Sequence, residues 1–164
     1  MTACADTRGA ALVGTLSSLS AWEAAAVIHL RLWCSGPAGQ VSVWNRYAKC
    51  FGPKRAQAEM RAFEGFVHLL ASNAHRPLVR KALGCRCICA DEAVFLHLVK
   101  TATDGDLHEA AGAAALMVRA AHAEQAALLA AEVGQSVKAI SRNAPQAAAI
   151  GDPVAATDNI VRLH

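Results

Sequence analysis

The sequence has no run of uncharged apolar residues long enough to cross a bilayer, which excludes a protein built from membrane-spanning helices. A spanning helix needs about 20 apolar residues, and the nearest candidate, residues 110–118, contains Gly112 and is followed by Arg119. The first residues include Asp6 and Arg8 and lack the charged start and long apolar region of a secretory signal. We therefore expect a cytoplasmic protein without a membrane partner.

Short motifs of the common catalytic sites are also missing. The sequence contains no Walker loop, no GxGxxG dinucleotide fingerprint, no GxSxG nucleophile elbow and no HExxH histidine pair. An enzyme needs a base, a nucleophile or a cofactor cradle held together. His29 and His68 lie beside the apolar stripes of predicted helices, where packing or a helix–helix hydrogen bond accounts for them. We therefore favour a non-catalytic protein.

Patterns typical of β-strands are scarce as well. Aromatic residues make up 5% of the chain, and no segment alternates clearly between apolar and polar residues. By contrast, alanine makes up about a quarter of the chain, and alanine, leucine, glutamate, lysine, glutamine and arginine are strong helix formers. A length of 164 residues fits one domain with a sizeable core. We predict an all-α fold, a single-domain bundle of six or seven amphipathic helices with no sheet.

Capping residues and helix breakers divide the chain into segments. We expect a flexible N-terminal arm at residues 1–13, a helical bundle domain at 14–142 and a poorly ordered C-terminal tail at 143–164. Ser20 and Glu23 have the spacing of a capping box, and glycine–proline steps separate the next helices. The expected helices span about residues 20–34, 38–51, 54–73, 77–83, 91–101, 106–118 and 122–141. Small residues in the last two predict a tight antiparallel hairpin.

One loop stands out chemically because it carries three cysteines at alternate positions, Cys85, Cys87 and Cys89. We call the segment from Cys85 to Cys89 the cysteine loop. In an extended segment these thiols share one face, about 6–7 Å apart, and thiolates are ligands that zinc and copper(I) prefer. His75 and Asp91 are the nearest candidates to complete a metal site. The spacing is not a standard zinc pattern, so the loop predicts thiol chemistry more firmly than a particular metal.

Two other interpretations of the cysteine loop stay open. A cysteine just before a helix and beside a cation feels two positive charges that favour the thiolate. Cys89, near Arg86, fits this description best, with Cys87 as a resolving partner, and the loop would then sense redox state. Alternatively, the cysteines only pack, since free cysteine is among the most buried residue types. We expect no disulfide framework, because the cytoplasm keeps thiols reduced.

Positive charge is concentrated in the middle of the chain. Residues 54–86 hold seven basic and two acidic residues, a net charge of +5, so the rest of the chain carries −2 of the total of +3. A basic surface binds phosphate backbones, which defines an alternative function, that of a nucleic-acid-associated helical protein. The residues expected at that surface are Lys54, Arg55, Arg76, Arg80, Lys81 and Arg86. A solvated surface with ordinary ion pairs is the plainer explanation.

Three aromatic residues near the first glycine-rich turn suggest a protein interface. Trp33, Trp44 and Tyr47 are of the types that often anchor interfaces, although their spacing also suits a core, and a homodimer through an alanine-lined helix face is a further interpretation. The leading hypothesis is a small regulatory or protein-interaction domain whose cysteine loop binds a soft metal ion or senses redox state. Its partner would be another protein or a second copy. A third alternative is a purely structural oligomerisation domain.

Overall fold

The computed structural model describes residues 8–144 and the backbone of residues 160–162. Six α-helices contain most of these residues, and four short strands accompany them. The helices are α1 (Ala21–Trp33), α2 (Pro37–Phe51), α3 (Pro53–Asn73), α4 (Ala90–Thr103), α5 (Leu107–Ala115) and α6 (Ala123–Asn143). The strands are β1 (Leu12–Thr15), β2 (Val79–Lys81), β3 (Cys87–Cys89) and β4 (Ile160–Arg162).

The prediction of an all-α fold with no sheet is wrong, because two small antiparallel sheets accompany the helices. β1 pairs with β3, where Thr15 lies opposite Cys87. β2 pairs with β4, where Arg80 lies opposite Val161. Strands of three or four residues are too short for a two-residue alternation to stand out in the sequence. The fold is therefore mostly helical, with two two-stranded sheets.

The helix expected at residues 77–83 is absent, strand β2 forms at Val79–Lys81 instead, and the described α-helices number six. The amides of Val79 and Lys81 donate to the side-chain carboxylates of Asp91 and Glu92, at 2.7 and 3.0 Å. Extended backbone directs the N–H groups of alternate residues to the same side, so a strand can offer both amides to the first turn of α4. These distant partners, which no local pattern reveals, decide the local conformation.

The boundaries of the first three helices follow local signals. The Ser20 amide donates to the Glu23 carboxylate at 2.9 Å and the Ser20 hydroxyl donates to it at 2.6 Å, so the predicted capping box opens α1. Gly36 and Gly52 have φ values of 101° and 75°, which only glycine adopts without strain. Each is followed by a proline in the first turn of the next helix, a position where proline loses no hydrogen bond.

α6 packs against α3, α4 and α5, so it lies at the centre of the bundle. Its small residues permit this: Gly134 lies so close to Thr103 of α4 that a methyl group at position 134 would overlap the threonine hydroxyl. Larger side chains fill the other end of the core, where the rings of Phe66 and Phe95 stack 5.7 Å apart between α3 and α4. Across the described part of the chain, no helix is both long enough and apolar enough to span a membrane.

The expected arm and tail each contribute a strand. β1 begins within the expected arm at residues 1–13, and β4 falls within the expected tail at 143–164, while α6 continues to Asn143. The rest of these two segments, residues 1–7, 145–159 and 163–164, lies outside the described residues.

Candidate functional site

Arg31 and Glu92 form an ion pair inside the fold. Arg31 Nε and Nη2 donate to the two carboxylate oxygens of Glu92 at 2.7 and 2.8 Å, and neither side chain is exposed. Two parallel N–H···O bonds are among the strongest contacts that arginine and carboxylate form. A buried charge is tolerated when it is paired and hydrogen-bonded in this way.

The same guanidinium holds the cysteine loop. Arg31 donates from Nη1 to the carbonyl oxygen of Cys85 and from Nη2 to that of Cys87, the latter at 2.7 Å. These bonds fix the backbone of the loop to α1. Since the side chains of the loop project from this backbone, Arg31 also positions its thiols.

The first turn of α4 has no free carboxylate. Asp91 accepts two hydrogen bonds from Arg76 at 2.7 and 2.9 Å in addition to the β2 amide, and Glu92 also accepts the amide of Cys89 at 3.1 Å. Gly9 lies against Asp91 so closely that a side chain at position 9 would overlap the carboxylate. Asp91, a predicted metal ligand, is thus bound by an arginine and a backbone amide.

Cys89 is the most buried cysteine of the loop, and its surroundings disfavour the thiolate. Its Sγ donates to the carbonyl oxygen of Val79 at 3.3 Å. Burial, together with the negative charge of Glu92, raises the pKa of the Cys89 thiol to about 11. The expectation that the helix start and Arg86 favour a Cys89 thiolate is therefore wrong, because desolvation and a neighbouring carboxylate outweigh them.

The other predicted metal ligands are Cys85, Cys87 and His75. The side chains of Cys85 and Cys87 are half-buried. His75 is exposed, and its Nε2 lies 3.0 Å from the carbonyl oxygen of Ala115. Between residues 8 and 144, no group of three or more histidine, cysteine, aspartate or glutamate side chains is arranged to hold a metal ion. Binding of zinc or copper(I) by the cysteine loop stays a prediction.

The six basic residues expected at a nucleic-acid surface are divided between the interior and the surface. Arg80 and Lys81 are buried, and Arg80 Nη2 donates to the carbonyl oxygen of Cys34 at 2.6 Å. Arg76 is paired with Asp91. Exposed positions are left to Lys54, Arg55 and Arg86. Because phosphate contacts need accessible cations, at least two of the six are unavailable to a nucleic acid.

Tyr47, expected at an interface, is buried beside His29. The ring centroids of the two residues lie 5.9 Å apart, and that of Phe63 lies 6.1 Å from Tyr47. Both ring nitrogens of His29 and the hydroxyl of Tyr47 lack hydrogen-bond partners within the described part of the chain. Burial lowers the pKa of His29 to about 3, so its ring is neutral near pH 7. His68, by contrast, is exposed near Ser72.

Trp33 and Trp44, the other two expected interface residues, line an open groove between α2 and α3 at the end of α1. The groove has a volume of about 460 Å³, and we call it the Trp44 groove. Apolar and charged side chains line it, including Trp33, Val41, Trp44, Met60, Arg61 and Glu64. Trp44 is 37% exposed and Val41 57%, so the apolar wall faces solvent.

The two helices that form the groove carry the whole net charge of the chain. Residues 37–73 contain five basic and two acidic residues, which gives +3, equal to the total for all 164 residues. All five basic side chains are exposed; they are Arg46, Lys49, Lys54, Arg55 and Arg61. The groove therefore lies between two helices that together carry +3, with Arg61 and Glu64 as its charged lining residues, while the rest of the chain is neutral overall.

Sequence reasoning singled out neither Arg31 nor Glu92 as a site residue. The signal for Arg31 was its position between Leu30 and Leu32 in an otherwise apolar helix, where an arginine must find a buried partner. Nothing in the sequence names that partner, because it lies 61 residues away.

Comparison of the chain with protein-family models, with curated proteins and with solved structures yields no significant match in any of the three. The function is therefore argued from the geometry and charge of the chain itself.

Proposed function

We propose that this chain is a non-catalytic protein-interaction domain that binds an amphipathic, acidic helix of a partner protein in the Trp44 groove. The exposure of Trp44 and Val41 beside a groove of about 460 Å³ carries this proposal. Large apolar side chains that line a concavity are typical of binding sites. Tryptophan is also among the residues most enriched at energetic hot spots.

The shape of the groove favours a helix as the bound element. A cleft between two packed helices accepts the apolar face of a third, whose anchoring side chains recur at every third or fourth position. Trp33 packs edge-on against the buried Phe63, with ring centroids 5.5 Å apart, and Met60 is nearly buried. The floor of the groove is thus held by the core, which lowers the entropic cost of binding.

The charge of α2 and α3 favours an acidic partner. The net charge of +3 on α2 and α3 attracts a negatively charged helix and accelerates its association. Two copies of the chain that met at this face would instead oppose like charges. The partner at the groove is accordingly a different protein.

The cysteine loop has a structural part in this proposal. Arg31 binds its carbonyl groups, and folding alone explains that contact, so metal binding and redox sensing rank behind the groove. Cys34, Cys50, Cys85 and Cys89 form no disulfide within the described part of the chain, which suits a reducing, cytoplasmic setting.

The test is a titration with a synthetic amphipathic helix that has leucine anchors at every third or fourth position and glutamates on the other face. We expect Trp44→Ala to weaken binding by about 30-fold, the loss typical of a hot-spot residue. Leu128→Ala is the matched control, because Leu128 is an exposed apolar residue on α6 outside the groove and its loss should leave the affinity unchanged.

Two further comparisons separate apolar docking from simple charge attraction. A peptide with the same leucines but with lysines in place of the glutamates should bind more weakly, and raised salt should weaken the acidic peptide without abolishing its binding. Equal affinity of the Trp44→Ala and wild-type proteins for the acidic peptide would exclude the groove as the binding site.

A further inference from the structure

Strand β2 has two edges, and side chains close one of them. The amides of Val79 and Lys81 donate to Asp91 and Glu92, and the carbonyl oxygen of Val79 accepts the Cys89 thiol. These groups take the place that a neighbouring strand would occupy. The first turn of α4 and the residue before it therefore cap this edge without any backbone pairing.

The second edge of β2 accepts a strand. Because N–H groups alternate in direction along an extended chain, the amide and carbonyl of Arg80 face away from Asp91 and Glu92. On that side lies β4, with Val161 opposite Arg80. An antiparallel pair exchanges its N–H···O bonds at every second position, so Arg80 and Val161 are the residues of this register whose backbone groups meet.

β4 is joined to the bundle by a long connection and by little else. It contains three residues, its main described contacts are with β2, and residues 144–159 separate it from α6. A pairing of two such short strands is marginal on its own. The covalent link to α6 therefore keeps the strand near β2, at an effective concentration on the order of millimolar.

We propose that the second edge of β2 is a strand-accepting site and that a second copy of this chain fills it by donating its own residues Ile160–Arg162. The strand seated on this edge is present in every copy, so an incoming copy brings the same sequence and register. A β4 strand from the same chain and one from a second copy make identical contacts with β2. They differ only in the chain that carries them, which is the condition for strand exchange between copies. This inference does not depend on the Trp44 groove.

The effective concentration of the resident strand sets the protein concentration at which dimers should form. If the resident strand competes at about millimolar effective concentration, exchange should produce dimers from about 0.1 to 1 mM protein and leave the chain monomeric in the low micromolar range. When the resident strand is disabled, the edge should bind the same sequence added as a free peptide.

Proline substitution tests the register with a matched control. Val161→Pro removes the N–H that faces Arg80, whereas Ile160→Pro removes one that faces away from β2 and is tolerated at a strand edge. The probe is a peptide with the sequence of residues 157–164, titrated into the full-length Val161→Pro protein. Exchange protection of the Arg80 amide against deuterium reports whether the edge is occupied.

Three results support the proposal when they occur together. First, the wild-type peptide and its Ile160→Pro form bind the Val161→Pro protein and restore protection of the Arg80 amide. Second, the Val161→Pro peptide does not bind. Third, sedimentation equilibrium shows dimers of the wild-type protein near 1 mM and none of the Val161→Pro protein. Absence of peptide binding would overturn the strand-accepting edge. Peptide binding without a wild-type dimer at 1 mM would overturn the second copy as its occupant. The peptide variants leave the protein unaltered, and a helical circular dichroism spectrum equal to that of the wild type establishes, before the peptides are added, that the Val161→Pro protein is folded.

Discussion

Arg31 Nε and Glu92 Oε1 lie 2.7 Å apart although 61 residues of chain separate them. This pair joins α1 to the first turn of α4, and through further bonds Arg31 fixes the cysteine loop and Glu92 fixes β2. One buried ion pair thus connects two helices, a loop and a strand.

Glu92→Gln should lower the free energy of unfolding by about 3–5 kcal/mol, because it leaves the guanidinium of Arg31 buried without its counter-charge. Urea denaturation at pH 7 measures this loss. Arg55→Ala is the control, since Arg55 belongs to an exposed pair with Glu59, and such pairs contribute about 0–1 kcal/mol. Similar losses in the two variants would contradict the central role of the Arg31–Glu92 pair.

Protonation of His29 should make the protein less stable as the pH falls. Its pKa is about 3 in the fold because of burial and about 6.5 in the unfolded chain, so below pH 6.5 the unfolded state binds more protons. The free energy of unfolding should therefore fall by up to about 1.4 kcal/mol per pH unit between pH 6.5 and 3 from this group alone.

His29→Phe removes this pH dependence and is the variant to compare. Between pH 6.5 and 4.5 the wild-type protein should lose about 2 kcal/mol more than the variant in urea denaturation. Below about pH 4.5 a second loss of stability begins, from Glu23. Its pKa in the fold is lowered to about 2, chiefly by a hydrogen bond from the Ser20 side chain. Parallel stability curves for the two proteins above pH 4.5 would show that His29 is not buried as a neutral ring.

The cysteines should differ in their rates of alkylation. Burial raises the pKa of Cys34 and of Cys89 to about 11, and alkylating reagents attack the thiolate. At pH 7.5 iodoacetamide should therefore modify Cys85 and Cys87 at least about tenfold faster than Cys89. Peptide mass spectrometry over time measures the order. In urea the difference should vanish, and early modification of Cys89 in the folded protein would contradict its burial.

Two glycine-to-alanine substitutions should change the stability of the protein in opposite directions. Gly134→Ala places a methyl group into Thr103 of α4 and should cost about 1–3 kcal/mol of stability. Gly112→Ala adds a methyl group in open space on α5 and should stabilise the protein by about 0.5–1 kcal/mol, because glycine weakens a helix interior. Thermal unfolding of both variants checks the pair. A neutral Gly134→Ala would mean that α4 and α6 separate easily.

The helices could be predicted from the sequence because their boundaries are local. Ser20 with Glu23, and the glycines at positions 36 and 52, set helix ends through atoms within a few residues. Strand β2 could not be predicted, because its conformation depends on carboxylates of Asp91 and Glu92 that reach it from another element. The sequence places Asp91 and Glu92 at the start of an expected helix, but it does not indicate the backbone amides that they bind.

Some residues of the candidate site could likewise be predicted from the sequence and others could not. Trp33 and Trp44 were predicted at an interface and line the groove, whereas Tyr47, on the same helix as Trp44, is buried against His29. Residues three positions apart in a helix lie only about 60° apart around its axis, so which of the two is buried depends on how α1, α2 and α3 pack. Residue type alone does not contain that information.

The separation between Arg31 and Glu92 also has a consequence for synthesis on the ribosome. Translation at about 5–20 residues per second delivers Glu92 roughly 3 to 12 s after Arg31. During that interval α1, α2 and α3 can emerge, but α1 cannot bury its arginine without leaving a charge unpaired. The nascent helices must keep Arg31 in contact with water until the first turn of α4 arrives, so the core around Arg31 cannot close before Glu92 has emerged.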